Sequence, residues 1–373
     1  MAIEIKEVKD KKQFKEFLSL PFSIYKDNPF WVPSLFMEER RNLNPKHNPA
    51  FEWSKTCLWL AYKDGKPAGR IAGIINHKSN QIWGKKQARF GWIDFIDDEE
   101  VSTALFNTLE NWARENGMNS VHGPLGFSDM DKEGMLTFGF DELGTIATIY
   151  NHAYYPEHTI KNGYSTDTEW VEYELKKPDG IPEKHLKIAE IVKQRFGLRV
   201  FQAKKSKDIL PYAKQIFHLV NEAFADLYGY VALTEKQMDY YIKLYFTFVR
   251  AEYIPIILDK NDDVIAFGIT LPSLSKAMQK TGGKLFPFGF FHLLKAMKKN
   301  DRVDFYLIAV KPEYQNKGVN ALLFTDLIPK YARDGIQWAE TNVELIDNEK
   351  VRKQWDYFEK RIHKRRSAFI KHL

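Results

Sequence analysis

Leu307-Ile308-Ala309-Val310-Lys311-Pro312-Glu313-Tyr314-Gln315-Asn316-Lys317-Gly318-Val319-Asn320-Ala321 runs from an apolar strand through a polar turn into the start of an amphipathic helix. A connection of this kind leaves the first N–H groups of the helix without intrahelical partners, and a glycine beside them keeps the approach clear. Gly318 stands at that position, with Lys317 adding positive charge next to it. A row of such donors can hold an anion, and a pyrophosphate fits it well.

Working outward, periodicity predicts a strand over 303–310 and a helix over 319–332 stopped by Gly335, then a strand over 338–345 and a helix over 348–360. Upstream lie a strand over 198–202, helices over 209–227 and 235–249, and a strand pair, 253–258 and 264–271, across the turn Lys260-Asn261-Asp262-Asp263. The first half repeats this succession. Strands 57–62 and 68–76 flank Lys63-Asp64-Gly65-Lys66, followed by strand 88–96, helix 101–115 and a short strand over 120–123. A helix over 154–162 and a strand over 169–175 close it. The proline- and glycine-containing break 176–182 separates the halves, which together read as an internal duplication.

The second-half segment resembles motif A of the GCN5-related N-acetyltransferase superfamily, whose turn reads glutamine or arginine, two residues, glycine, one residue, then glycine or alanine. Gln315 and Gly318 match, as does the alanine, valine, any residue, proline lead-in, whereas Asn320 takes the last small position with Ala321 one place later. The resemblance covers the chain from Leu198 to Leu373. It implies an α/β (α+β) fold of two acyl-CoA N-acyltransferase-like domains, each a mixed, mainly antiparallel twisted sheet flanked by helices. Residues 1–177 would form a degenerate copy with an N-terminal extension, 178–197 a linker and helix, and 198–373 the acyl-CoA-binding domain.

By the same resemblance, the coenzyme is acetyl-CoA or another acyl-CoA. Its pantetheine arm pairs with the backbone of Leu307, Ile308, Ala309 and Val310, and its pyrophosphate sits on Gln315, Asn316, Lys317, Gly318, Val319, Asn320 and Ala321, with Asn348 at the second coenzyme motif. The implied reaction is direct attack of an amine on the thioester, with no metal, and it needs a base for the ammonium proton and an acid for the departing thiolate. Alternation puts Asp304 and Tyr306 on one face of their strand, and Glu340, Asn342 and Glu344 on one face of the next. Glu340 is the base candidate, and Asp304 is a further catalytic candidate. The second motif places an acidic tyrosine seven residues after its asparagine, but Trp355 stands there and Tyr357 two places on is the acid candidate.

In the first half the corresponding turn is Asp97-Asp98-Glu99-Glu100, whose charge repels a pyrophosphate. The loop from Gly123 to Gly134, with Asp129, Asp131 and Glu133, reads as structural turn chemistry, with cation binding the sharper alternative. The insertion 282–299 reads as a helix buried against protein, or alternatively as a wall touching an acyl chain or a membrane surface.

Composition sets the outer limits. A chain of 373 residues with 44% hydrophobic residues suits two domains, and a net charge of +6 is compatible with a nucleotide-bearing coenzyme without pointing to nucleic acid. The basic tail around Lys360 to Arg366 reads as a solvated terminal helix face. With Cys57 as its single cysteine, the chain is expected to be cytoplasmic and to have no integral membrane segment. The partner implied is a small-molecule or peptide amine, and homodimerisation is left open. Two alternatives stand beside an acetyl transferase: a coenzyme-binding scaffold without turnover, and an enzyme like the aminoacyl-tRNA-dependent peptidyltransferases.

Overall fold

Asp64 (φ 52) and Gly65 (φ 76) both take the left-handed backbone that a two-residue hairpin turn requires, joining strand β2 (Ser54–Lys63) to β3 (Lys66–Asn76). The computed structural model describes residues 3–245 and 249–373, and its contacts divide into two units. One takes in the chain up to Val171 with Met278–Gly289 and Lys364–Leu373; the other takes in Glu172–Ala277 and Phe290–His363.

The first unit lays its strands in the order β1 (Ile3–Glu7), β2, β3, β4 (Gln87–Phe95), β5 (Ser120–Gly123) and the end of the C-terminal strand, against which β6 (Met135–Phe138) also pairs. Every pairing but β4 with β5 is antiparallel. Helix Glu99–Glu115 buries Val101, Leu105, Leu109 and Ala113 at helical spacing, in a core shared with Ile71, Ile75 and Phe90. The segment ahead of β2 is ordered by local chemistry: Asp10 and Gln13 form a reciprocal capping box at the start of helix Lys11–Ile24.

In the second unit the order is the end of β7 (Ser165–Lys176), then β12 (Trp338–Glu340), β11 (Arg302–Val310), β10 (Val264–Pro272), β9 (Ile256–Leu258) and β8 (Arg199–Phe201). Here β11 with β12 is the parallel pair. Helix Asn320–Asp334 buries Leu322, Leu323, Phe324, Leu327 and Ile328, and each such side chain stabilises by ~2 kcal/mol. Helix Glu183–Phe196 adds Ala189 and Val192 to the same core as Val319 and Leu322.

Several expectations are corrected. The tail is a strand, β14 (Lys360–His372), not a helix: Lys364 and Arg366 are buried, Arg366 donates to the Gly134 and Ile149 carbonyls, and 369–372 pair with β5. Pairing more than two hundred positions away in sequence overrides local propensity here. The C-terminal segment therefore completes the first unit instead of closing a contiguous 198–373 domain. The expected strand 338–345 is two pieces, β12 and β13 (Glu344–Leu345), and the helix expected over 348–360 is a short turn, Glu349–Arg352, followed by the 3₁₀ segment Lys353–Tyr357. The helix expected over 235–249 is seen as Glu235–Tyr245, and 246–248 lie outside the described residues. The helix of the insertion, Gly289–Lys298, buries none of its residues.

Candidate functional site

The register between β10 and β11 slips at one point: Ile269 pairs with Leu307 and Thr270 with Phe305, so Tyr306 is an extra residue and β11 bulges there. The alternation that would put Asp304 and Tyr306 on one face is broken by it. On the other side, β11 pairs with β12 only through Arg302↔Trp338, Val303↔Ala339 and Asp304↔Glu340. Beyond Glu340 the chain stays with β7, where Thr341 exchanges hydrogen bonds with Tyr173, its N–H to the Tyr173 carbonyl and its hydroxyl accepting from the Tyr173 N–H, both 2.9 Å. The parallel strands thus part company, and among the described residues the edge of β11 from Phe305 to Val310 has no strand partner on that side.

Which backbone groups face the gap is set by the pairing. Gly268 sends its N–H to the Pro255 carbonyl (3.0 Å), so the pair Gly268↔Ile308 is a non-hydrogen-bonded one and Ile308 directs its N–H and C=O away from β10. The carbonyls on either side are met by side chains: Tyr306 accepts from Asn342 Nδ2 (3.2 Å) and Val310 from Gln315 Nε2 (3.1 Å). Gln315 therefore braces the end of the strand, while Leu307 and Ile308 remain half-buried and Ala309 and Val310 are buried.

At the end of that edge the turn is open. Gln315, Asn316 and Lys317 are exposed, and Asn316 (φ 61) and Gly318 (φ 81) take left-handed backbone, which folds the chain tightly into helix Asn320–Asp334. The residue preceding the helix, Val319, offers no side-chain cap, so the first N–H groups are not met by a capping side chain. Asn320, in the place of the usual small residue, turns its side chain to Gln354 Oε1 (3.0 Å). Val319 and Ala321 are buried, anchoring the turn in the core. A Cβ on Gly318 would come within 2.6 Å of Ile188 Cγ2, so the glycine also admits helix Glu183–Phe196.

The carboxylates form a row. Asp304, Glu340 and Glu174 are direct cross-strand partners on β11, β12 and β7, and each is buried. Side by side they would repel one another, and cations offset this: Arg302 lies 2.7 Å from Glu174 and 3.8 Å from Glu340, and Arg361 donates to Glu174 at 2.8 Å. Burial works to raise the Glu174 pKa, but the two guanidiniums outweigh it and hold that carboxyl below the usual carboxylate range. His363, fully buried, places Nε2 3.4 Å from Glu340 Oε1. Sequence reading misses His363, Glu174 and Arg302; the only signal for Glu174 is its place on an alternating strand.

The remaining candidates lie elsewhere. Tyr357 packs edge-on against His185 (4.6 Å) with Lys184 over its ring, and is not brought to Asp304 or Glu340. Trp355 is buried against Phe305 and Phe324 and donates to Glu344 Oε1 at 2.6 Å. Burial pushes the Glu344 carboxyl up to about 8. Asn348 caps the turn Glu349–Arg352 through the Val351 N–H. In the first unit, Asp131 accepts from the N–H groups of Phe127 and Ser128 (2.8 and 3.1 Å), which is the structural turn chemistry expected of this half-buried loop. Among the described residues no group of three or more His, Cys, Asp or Glu is arranged to hold a metal ion.

No protein-family model matches the chain. It is 28% identical over 327 residues to Protein YghO of Escherichia coli K12, covering 86% of this chain and 81% of that protein. It is 29% identical over 318 residues to a bacterial ceramide synthase of Caulobacter vibrioides, covering 83% and 80%. A solved tandem GNAT protein from the clavulanic acid biosynthesis pathway superposes over 100% of this chain and 98% of its own, with a TM-score of 0.56 at 12% identity. With its strands in two similarly ordered sets, each holding one parallel pair that stops after three residues, the chain has the tandem GCN5-related N-acetyltransferase fold.

Proposed function

We propose that the protein is an acyl-CoA-dependent N-acyltransferase whose chemistry lies in the second unit. The observation that carries this reading is the parting of β11 from β12 after Asp304↔Glu340, which leaves the Ile308 N–H and C=O facing a gap that runs to an uncapped, glycine-bent helix start. A pantetheine arm, an extended chain with two amides, suits the strand edge. A pyrophosphate suits the turn of Gln315 to Ala321, with Lys317 beside it. The coenzyme supplies the acyl group as a thioester, activated for attack by an amine.

The protein's own part is proton handling and positioning. Glu340 is the proposed base, taking the ammonium proton directly or through a bound water, and His363 at 3.4 Å can share that proton. Arg302 and Glu174 fix the charge around Glu340, and Asp304 is its register partner on β11. Tyr306, on the bulge where the strands part, is better situated than Tyr357 to protonate the leaving thiolate.

The Caulobacter relative extends the reading to a substrate class. A ceramide is the amide of a long-chain amino alcohol, so the proposed acceptor is a long-chain primary amine and the proposed donor a long-chain acyl-CoA. Calorimetry with coenzyme A, followed by thiol release from acetyl-CoA and palmitoyl-CoA over a panel of short and long amines, tests each level. Binding with thiol release only for long partners supports the whole reading. Release with acetyl-CoA and short amines overturns the chain-length part, binding without any release favours a scaffold, and no binding removes the proposal.

A further inference from the structure

The stretch from Val264 to Asn300 contains six lysines, at 276, 280, 284, 295, 298 and 299, and not one Asp or Glu, so it is uniformly positive. Within it, segment 284–299 presents large apolar side chains to solvent: Phe286 is 72% exposed, Phe288 71%, Phe291 57% and Leu294 48%. Solvated surface positions are seldom filled by aromatic residues so closely spaced, because each leaves its ring in water at a cost of ~2 kcal/mol relative to burial. Helix Gly289–Lys298 buries none of its residues, and Lys295 and Lys298 lie on the same exposed side as Phe291 and Leu294 by helical spacing. Phenylalanines and leucines bordered by lysines, with no acid among them, match a bilayer interface: acyl chains receive the rings and anionic headgroups receive the ammonium groups. At ten residues the helix is too short to span, and no helix among the described residues is long and apolar enough to cross a membrane.

We infer that segment 284–299 seats this protein on the surface of an anionic lipid bilayer. The inference rests on this surface alone and does not require the acyl-transfer reading. If both hold, an amphiphilic substrate could be drawn from the leaflet.

The test is flotation of the full chain with vesicles of phosphatidylcholine alone and with about 30 mol % phosphatidylglycerol, at low and at roughly 0.5 M salt. The expected result is flotation with the anionic vesicles, weakened at least about tenfold by neutral lipid or high salt. Phe288→Ser/Phe291→Ser/Leu294→Ser should lower the partition coefficient by roughly a hundredfold, and Lys295→Gln/Lys298→Gln/Lys299→Gln by about tenfold, with unchanged circular dichroism and melting temperature. The three apolar positions are exposed, so the variant retains the fold. Wild-type protein that stays with the unbound fraction overturns the inference, as does flotation unaffected by the apolar triple substitution. A concentration-dependent dimer in sedimentation velocity that the same substitutions abolish, without flotation of the wild type, assigns the face to a second copy and overturns it as well. Thiol release measured on detergent-solubilised substrate keeps a failure of acyl transfer separate from a failure of membrane binding.

Discussion

In both units a strand is paired antiparallel on one side and parallel on the other, and in both the parallel pairing stops after three residues, at Arg89↔His122 in the first and Asp304↔Glu340 in the second. Past that point the two units differ. In the first unit the chain fills the gap itself: the Leu125 N–H donates to the Phe90 carbonyl at 2.8 Å, and a Cβ on Gly91 would lie 2.6 Å from the Leu125 carbonyl oxygen. In the second, side chains rather than backbone reach the strand edge, those of Asn342 and Gln315. The helix starts diverge in the same way. Asp98 caps Glu99–Glu115 by accepting from Val101 and is paired with Lys63, so the donors there already have an anion. Val319 gives Asn320–Asp334 no such cap. A duplicated fold can therefore keep its shape in both copies while only the second sets a helix start without a side-chain cap beside a strand edge that backbone does not fill, and such an opening is what a ligand can use.

The largest effect that would break this comparison is chemical. Glu340→Gln should lower kcat by about 10²–10⁴ in a thiol-release assay while leaving the coenzyme Kd unchanged, since a base acts on the acceptor and not on the pyrophosphate. Full activity in that variant would take the acid row out of the mechanism. Next, Gly318→Glu should weaken coenzyme binding by roughly a hundredfold in calorimetry, because a Cβ on this left-handed backbone (φ 81) meets Ile188 Cγ2 at 2.6 Å and displaces the turn, and the added carboxylate repels a pyrophosphate. Titration of the wild type should give one site per chain, and two sites would erase the distinction between the units.

A pH experiment sharpens the contrast in a different place. Glu344 is raised by burial from 4.5 to about 8, so its carboxyl holds a proton more readily folded than unfolded. The stability linked to it is complete below about pH 4.5 and is lost as the pH rises through about 8. Glu344→Gln should therefore flatten the decline of stability between these limits by a few kcal/mol at most, as read from urea unfolding at several pH values. A decline of unchanged slope would show that Glu344 is not its source. The smallest change is the removal of the first unit's cap: Asp98→Ala should cost about 1 kcal/mol of stability without creating a second coenzyme site. Appearance of such a site would mean that the cap alone had kept the first unit closed.

Much of this is legible in the sequence. The hairpin turn at Asp64-Gly65, the helix ended by Gly335 and the strand-turn-helix at Gly318 are all specified by residues close together, and the structure has them where the sequence puts them. The acidic turn of the first half reads as repelling a pyrophosphate; the structure adds that Asp98 serves as the cap. The tail misleads because Lys360 to Arg366 looks like a solvated helix, and it is strands far away in sequence, β5, β6 and β7, that make it a strand. Motif spacing falls on Trp355, and Tyr357, the tyrosine two places on, lies in a 3₁₀ segment with its ring packed against His185.

The sequence by itself determined the hairpin turn at Asp64-Gly65, the helix end at Gly335 and the strand-turn-helix at Gly318 that we propose receives a diphosphate, because capping, glycine backbone freedom and hydrophobic period act over a few residues. Tertiary structure alone decided which strand edge stays open, where the extra residue Tyr306 falls, and that Glu340 gains Arg302 and His363 as neighbours. Those outcomes depend on hydrogen bonds and charges meeting across strands, and no local pattern records which distant group will arrive.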